Sequence, residues 1–139
     1  MAIVETSVWI DVLRDRAGTR RAALTEALAG EDALLVRFTQ LELLQGARDE
    51  REWSLLADYL VAQEYLEASP ETWVQAARIL FDLRRRGLTV RSPIDCCIGQ
   101  LAIEHGELLL HRDADFEAIA SLRPLRQQFV RWPDEPPES

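Results

Sequence analysis

Ala2-Ile3-Val4-Glu5-Thr6-Ser7-Val8-Trp9-Ile10 decides how the rest of this chain is read. The short apolar run at its start, two of its three residues β-branched, reads as a buried strand. Thr6 and Ser7 then open a helix that continues to about residue 14. Between the two stands an acid. A carboxylate that ends a buried apolar strand gains nothing from a helix cap, and it costs desolvation unless it is paired or binds a cation.

The same alternation continues outward. A helical pattern at 18–29 is stopped by Gly30, and Ala33–Val36 is the next strand. Helices follow at 40–48 and 53–63, then a short strand at 65–68. Ser69-Pro70 opens a long helix to residue 86, and Ser92-Pro93 opens another to about residue 105, closed by Gly106. Leu108–His111 is an apolar strand, 113–120 a short helix and 128–131 a last, edge strand. Strands alternating with amphipathic helices predict an α/β fold, a three-layer sandwich with a mostly parallel central sheet flanked by helices. In such sheets, sites form in the crevice beyond the carboxyl ends of the strands.

Composition sets bounds. The chain has 139 residues, room for one domain, placed here at 1–131. The remainder, 132–139, is acidic and Pro-rich; it has nothing to bury and reads as a disordered tail. No apolar run is long enough for a membrane span, and no secretory leader is evident, so the expected location is the cytoplasm. Cys96 and Cys97 are adjacent in a helical pattern, where they read as small helix residues with at least one buried, not as a bridge or zinc site. The net charge of −8 argues against a surface that grips nucleic acid throughout. Every basic side chain is arginine, however, the better phosphate fork.

Five acids fall at or near the strand ends: Glu5, Glu42, Asp95, Asp113 and Asp115. Most have a plain local reading. Thr39-Gln40-Leu41-Glu42 has capping-box spacing, and Ser92-Pro93-Ile94-Asp95 has the same shape. Asp113 suits an N-cap, and Asp115 the positive end of a helix dipole. Parallel neighbouring strands would nevertheless bring all five to one edge of the sheet, where they repel one another unless a cation sits among them. All-oxygen ligands suit Mg²⁺ or Mn²⁺, which can activate a water and stabilise the leaving oxygen in phosphodiester hydrolysis. No nucleophile elbow is present, and the histidines are His105 and His111 alone.

Four stretches in register resemble the PIN-domain toxins of the VapC family. They are Ile3-Val4-Glu5-Thr6-Ser7-Val8-Trp9-Ile10, Leu41-Glu42-Leu43-Leu44-Gln45-Gly46-Ala47-Arg48, Arg91-Ser92-Pro93-Ile94-Asp95-Cys96-Cys97-Ile98 with Ala102, and Leu109-Leu110-His111-Arg112-Asp113-Ala114-Asp115-Phe116. The resemblance implies a Mg²⁺-dependent endoribonuclease cutting structured RNA such as tRNA or rRNA, the toxin of a type II toxin–antitoxin system. It also implies a homodimer, neutralised by a cognate antitoxin in a higher hetero-oligomer. By position Glu5, Glu42, Asp95 and Asp113 carry over as metal ligands or supports for the attacking water, with Glu5, Asp95 and Asp113 on the metal. Asp115 shares the fourth role, the sequence not saying which of the two acids points inward. Thr6 and Ser7 would supply supporting hydroxyls, or simply cap the first helix.

One departure stands out: the family has Asp where this chain has Glu5. The extra methylene moves the carboxylate by roughly 1 Å, and misplacement on that scale can cost about a hundredfold in rate. The alternative reading is therefore a catalytically silent PIN-like module that binds RNA or an antitoxin. Arg91 and Arg112 are candidate phosphate contacts, Arg112 being equally suited to holding an acid; Arg84-Arg85-Arg86 complements a helix end or guides phosphate. Apolar positions at 40–63 (Leu41, Leu44, Trp53, Leu56, Leu60) exceed what a core needs, and a leftover strip would suit an antitoxin helix. A receiver-type phosphorylation domain or a P-loop switch is excluded by the absence of lysine.

Overall fold

In the computed structural model, which describes residues 1–136, β1 (Ala2–Val4) passes into α1 (Thr6–Arg14) with Glu5 alone between them. There follow α2 (Thr19–Leu28), β2 (Ala33–Val36), α3 (Arg37–Gln45), α4 (Glu50–Val61), β3 (Tyr65–Leu66) and α5 (Pro70–Arg85). The chain continues through α6 (Pro93–His105), β4 (Leu108–His111), α7 (Asp115–Ala120) and β5 (Gln127–Phe129).

All strand pairings are parallel, in the order β3-β2-β1-β4-β5. From β1 the chain builds outward through β2 and β3, then returns to lay β4 and β5 on the other side. A crevice opens at such a reversal, beyond the carboxyl ends of the flanking strands, here β1 and β4.

The strands are apolar on both faces because both faces are covered. Ile3, Leu34, Val36 and Leu109 point into one layer, packed with side chains of α5, α6 and α7. Ala2, Val4, Leu35 and Leu110 alternate into the other, with Val8, Trp9, Val12, Leu24, Leu43 and Leu60. The three-layer α/β sandwich expected from the sequence is the fold observed. Cys96 and Cys97 are both buried, unbridged helix residues. Among the described residues no helix is long and apolar enough to cross a membrane.

Two expectations are corrected. α3 begins at Arg37, directly after β2, not near residue 40, and its N-cap Val36 makes no side-chain cap. Thr39 therefore lies inside the helix, fully buried, and no capping box joins it to Glu42. The second correction concerns residues 132–136 of the expected tail. Trp132 is buried in the layer containing α1, and its Nε1–H donates to Asp11 Oδ2 at 2.8 Å. Glu135 accepts from Arg112 at 2.6 Å, and Asp134 pairs with Arg20 at 3.0 Å. A large ring with a core gap to fill and two acids facing arginines hold this stretch to the domain. The expected disorder at 137–139 falls outside the described residues.

Candidate active site

The β4–α7 turn and the first turn of α6 bring three acids together. Asp95, Asp113 and Asp115 each offer a carboxylate oxygen, and these oxygens all lie within 4.8 Å of one another. Ser92 caps α6 by accepting from the Ile94 N–H at 3.1 Å, which places Asp95 in the first turn. Asp95 does not turn back to Ser92 as a capping-box acid would; its side chain shares a hydrogen bond with Asp115. Asp113 Oδ1 accepts from the Asp115 N–H at 2.9 Å, and Asp115 Oδ2 accepts from the Arg91 N–H at 3.1 Å. Both acids of the fourth motif thus join the cluster, and Asp115 is the more buried of the two.

Glu5 lies at the end of β1, outside the tight trio but near enough that its charge acts on Asp95 and is acted on by Asp113. It is the N-cap of α1: Oε2 accepts from the Ser7 N–H at 2.9 Å and from the Ser7 hydroxyl. The view that this acid gains nothing from a helix end is corrected. Glutamate is long enough to fold back onto the first turn while only 8% exposed. Glu42 is reached through Thr6, whose Oγ1 sits 3.2 Å from Glu42 Oε1 and 3.0 Å from Thr39 Oγ1. The five acids are therefore not equivalent: three form the centre, Glu5 adjoins it, and Glu42 stands behind Thr6.

The electrostatics match this crowding. Burial pushes the Asp95 carboxyl up to about 8, helped by its hydrogen bond to Asp115 and by the charges of Asp113, Glu5 and Asp115. Burial also raises Glu5; the Ser7 hydrogen bonds oppose this, while Glu42 and Asp113 add to it. A site whose acids cannot all ionise comfortably is one that a cation would complete. The donor set fits in its chemistry: clustered carboxylate oxygens are the hard ligands that Mg²⁺ and Mn²⁺ take.

The arginines divide. Arg91 is 79% exposed at the rim, its guanidinium 3.4 Å from Asp113 Oδ1. Arg112 holds acids: it pairs with Asp11 at 3.1 Å and Glu135 at 2.6 Å, donates to the Val130 carbonyl, and is 17% exposed. Its guanidinium is occupied, so the geometry favours Arg91 over Arg112 as a phosphate contact. Arg84, Arg85 and Arg86 are exposed at the end of α5. No role for His111 or Gln127 is legible in the sequence, where Thr39 reads only as a cap. The one signal for His111 was its place at the end of a buried strand, two residues before Asp113.

Known proteins resemble this chain in sequence and in fold. A family model for the PIN domain matches residues 2–122. The VapC ribonuclease Mb1587 of Mycobacterium bovis is 33% identical, over 94% of this chain and all of that protein. Two solved structures share the fold. One is VapBC2 from Rickettsia felis, bound to a DNA fragment from its promoter, with TM-score 0.72, 17% identity and coverage of 91% of this chain and 96% of that one. The other is VapBC-5 of Mycobacterium tuberculosis, a member of the VapBC family of toxin–antitoxin systems, with TM-score 0.66, 20% identity and coverage of 91% and 95%.

Proposed function

The chain belongs to the PIN-domain family, in its VapC branch, and on that premise we propose that it is the toxin ribonuclease of a VapBC-type toxin–antitoxin pair. In this reading it is a metal-dependent endoribonuclease that cuts structured RNA, using Mg²⁺ or, in its place, Mn²⁺. The observation that carries the proposal is the convergence of Asp95, Asp113 and Asp115 beside Glu5 at the β1–β4 crevice.

Asp95, Asp113 and Asp115 would hold the ion. When bound, it supplies Lewis acidity, making water a nucleophile near neutral pH and offsetting charge on the phosphate and leaving oxygen. Glu5 keeps Oε2 on Ser7, which fixes the carboxylate and leaves Oε1 to accept a proton from the attacking water. Thr6 steadies Glu42 behind it. Arg91 can turn from Asp113 to an RNA phosphate at the rim, and Arg84 to Arg86 extend that cationic edge.

The partners follow from the same reading. α4 leaves Leu55 and Tyr59 exposed one turn apart on the same face, an apolar patch of the kind an antitoxin helix covers. α5 leaves Trp73, Val74 and Phe81 exposed, beside a groove of about 590 Å³ against Pro93, and this is the face offered for a homodimer. Antitoxin bound to such a dimer gives a higher hetero-oligomer.

The test is incubation of the chain and its Glu5→Asp variant with bacterial RNA, with Mg²⁺, Mn²⁺ or EDTA. Discrete cleavage that disappears with chelator and in Asp95→Asn supports the proposal. Cleavage by Glu5→Asp alone assigns this chain to a disabled copy. If neither protein cuts with either ion, the silent binding module takes its place.

A further inference from the structure

A chain of hydrogen bonds runs into the acid cluster from a buried histidine outside it. His111, the last residue of β4, is fully buried. Its Nδ1 lies 3.1 Å from the Asp113 backbone nitrogen. That N–H can only donate, so Nδ1 carries the lone pair and the ring proton is on Nε2. Nε2 in turn lies 2.6 Å from Gln127 Oε1 on β5, an acceptor facing a donor. Phe116 of α7 and Phe129 of β5 hold the ring from two sides, at centroid distances of 4.9 and 5.8 Å.

The relay continues beyond the ring. Asp113, with its N–H on His111, accepts the Asp115 N–H, and Asp115 accepts the Arg91 N–H. Gln127, His111, Asp113, Asp115 and Arg91 therefore form one connected series from the edge strand to the lead-in of α6. In such a series the tautomer of one ring fixes the direction of the turn that follows.

We propose that His111, held by Gln127 as its Nε2–H tautomer, is the positioning residue that sets the β4–α7 turn and so aims Asp113 and Asp115 at the metal. This rests on the reading of the acid cluster as a metal site. Gln127 touches none of the acids, yet on this account it controls their affinity for the ion.

Binding of Mn²⁺ to the metal-free protein, followed by the EPR signal of free Mn²⁺, is the test, with folding and stability of each variant measured by circular dichroism. His111→Phe keeps the ring volume and loses the acceptor; Mn²⁺ affinity should fall about 10- to 100-fold. His111→Asn places an amide oxygen where Nδ1 stood and should recover most of the affinity. Asn leaves a cavity and should be the less stable of the two, so metal affinity and stability rank the variants in opposite orders. A role in packing alone would rank them the same way. Gln127→Leu should weaken Mn²⁺ about tenfold. Nitrogen-15 NMR of the wild-type ring should show protonated Nε2 and bare Nδ1. Unchanged Mn²⁺ affinity in folded His111→Phe and Gln127→Leu, or a proton on Nδ1, overturns the proposal. A wild-type protein that binds no Mn²⁺ overturns the metal-site reading and this role with it.

Discussion

At the scale of the residue, Glu5 has two tasks that pull on one side chain. It caps α1 through Ser7 and it faces the acid cluster. Aspartate is among the best N-caps, so Glu5→Asp should keep the helix start and leave the melting temperature nearly unchanged. It also withdraws the carboxylate by roughly 1 Å, and cleavage should rise by up to about a hundredfold, as read from initial rates. Asp95 carries a second prediction. Its carboxyl titrates higher in the folded chain than the ordinary value of 3.8, so the folded state binds the extra proton between about pH 4 and 8. Without a divalent ion, stability should fall as pH rises through that window, because the folded protein must give up a proton the unfolded chain has already lost. Mg²⁺ favours the ionised carboxylates, so the rise in melting temperature it produces should be larger at pH 8 than at pH 5. Thermal melts at both pH values check this, and Asp95→Asn should abolish the difference.

At the scale of the element, the helix ends carry the local energetics. Ser69 and Thr72 form a capping box at the start of α5, and Ser69→Ala should cost about 1 kcal/mol in urea denaturation. α2 ends on Ala29, which holds a left-handed φ of 52° that favours glycine. Ala29→Gly should stabilise by about 1 kcal/mol by the same measurement. These element boundaries explain what was legible in advance. Ser69-Pro70, Ser92-Pro93, Gly87 and Gly106 punctuate α5 and α6 through local chemistry, and both helices were readable from the sequence. The start of α3 was not, because Thr39 mimics a cap while its hydroxyl belongs to a buried contact with Thr6, 33 residues away. Trp132 was misread for a similar reason. Its neighbours are Pro and acids, and the core gap that takes the ring is made by distant elements.

At the scale of the whole molecule, the parallel order β3-β2-β1-β4-β5 turns scattered acids into a site. That much could be reasoned from sequence: acids at the carboxyl ends of parallel strands must approach one another. Their division into a trio, an adjoining Glu5 and a more remote Glu42 could not, since it depends on side-chain hydrogen bonds to Ser7, Thr6 and Arg91. The surface has its own prediction. Leu55→Asp and Tyr59→Asp on α4 should weaken antitoxin binding more than tenfold in calorimetry while leaving RNA cleavage intact, because these exposed side chains lie outside the acid cluster. The central claim is that the trio of Asp95, Asp113 and Asp115 is a metal site on which RNA cleavage depends. It is tested most directly by titrating Mn²⁺ into the metal-free chain, following binding and RNA cleavage in the same samples, with Asp113→Asn and Asp115→Asn alongside. The account predicts that cleavage, in this chain or in its Glu5→Asp form, rises along the binding curve and that both fall together in the variants. Cleavage that persists in EDTA, or that survives in variants no longer binding Mn²⁺, would contradict it.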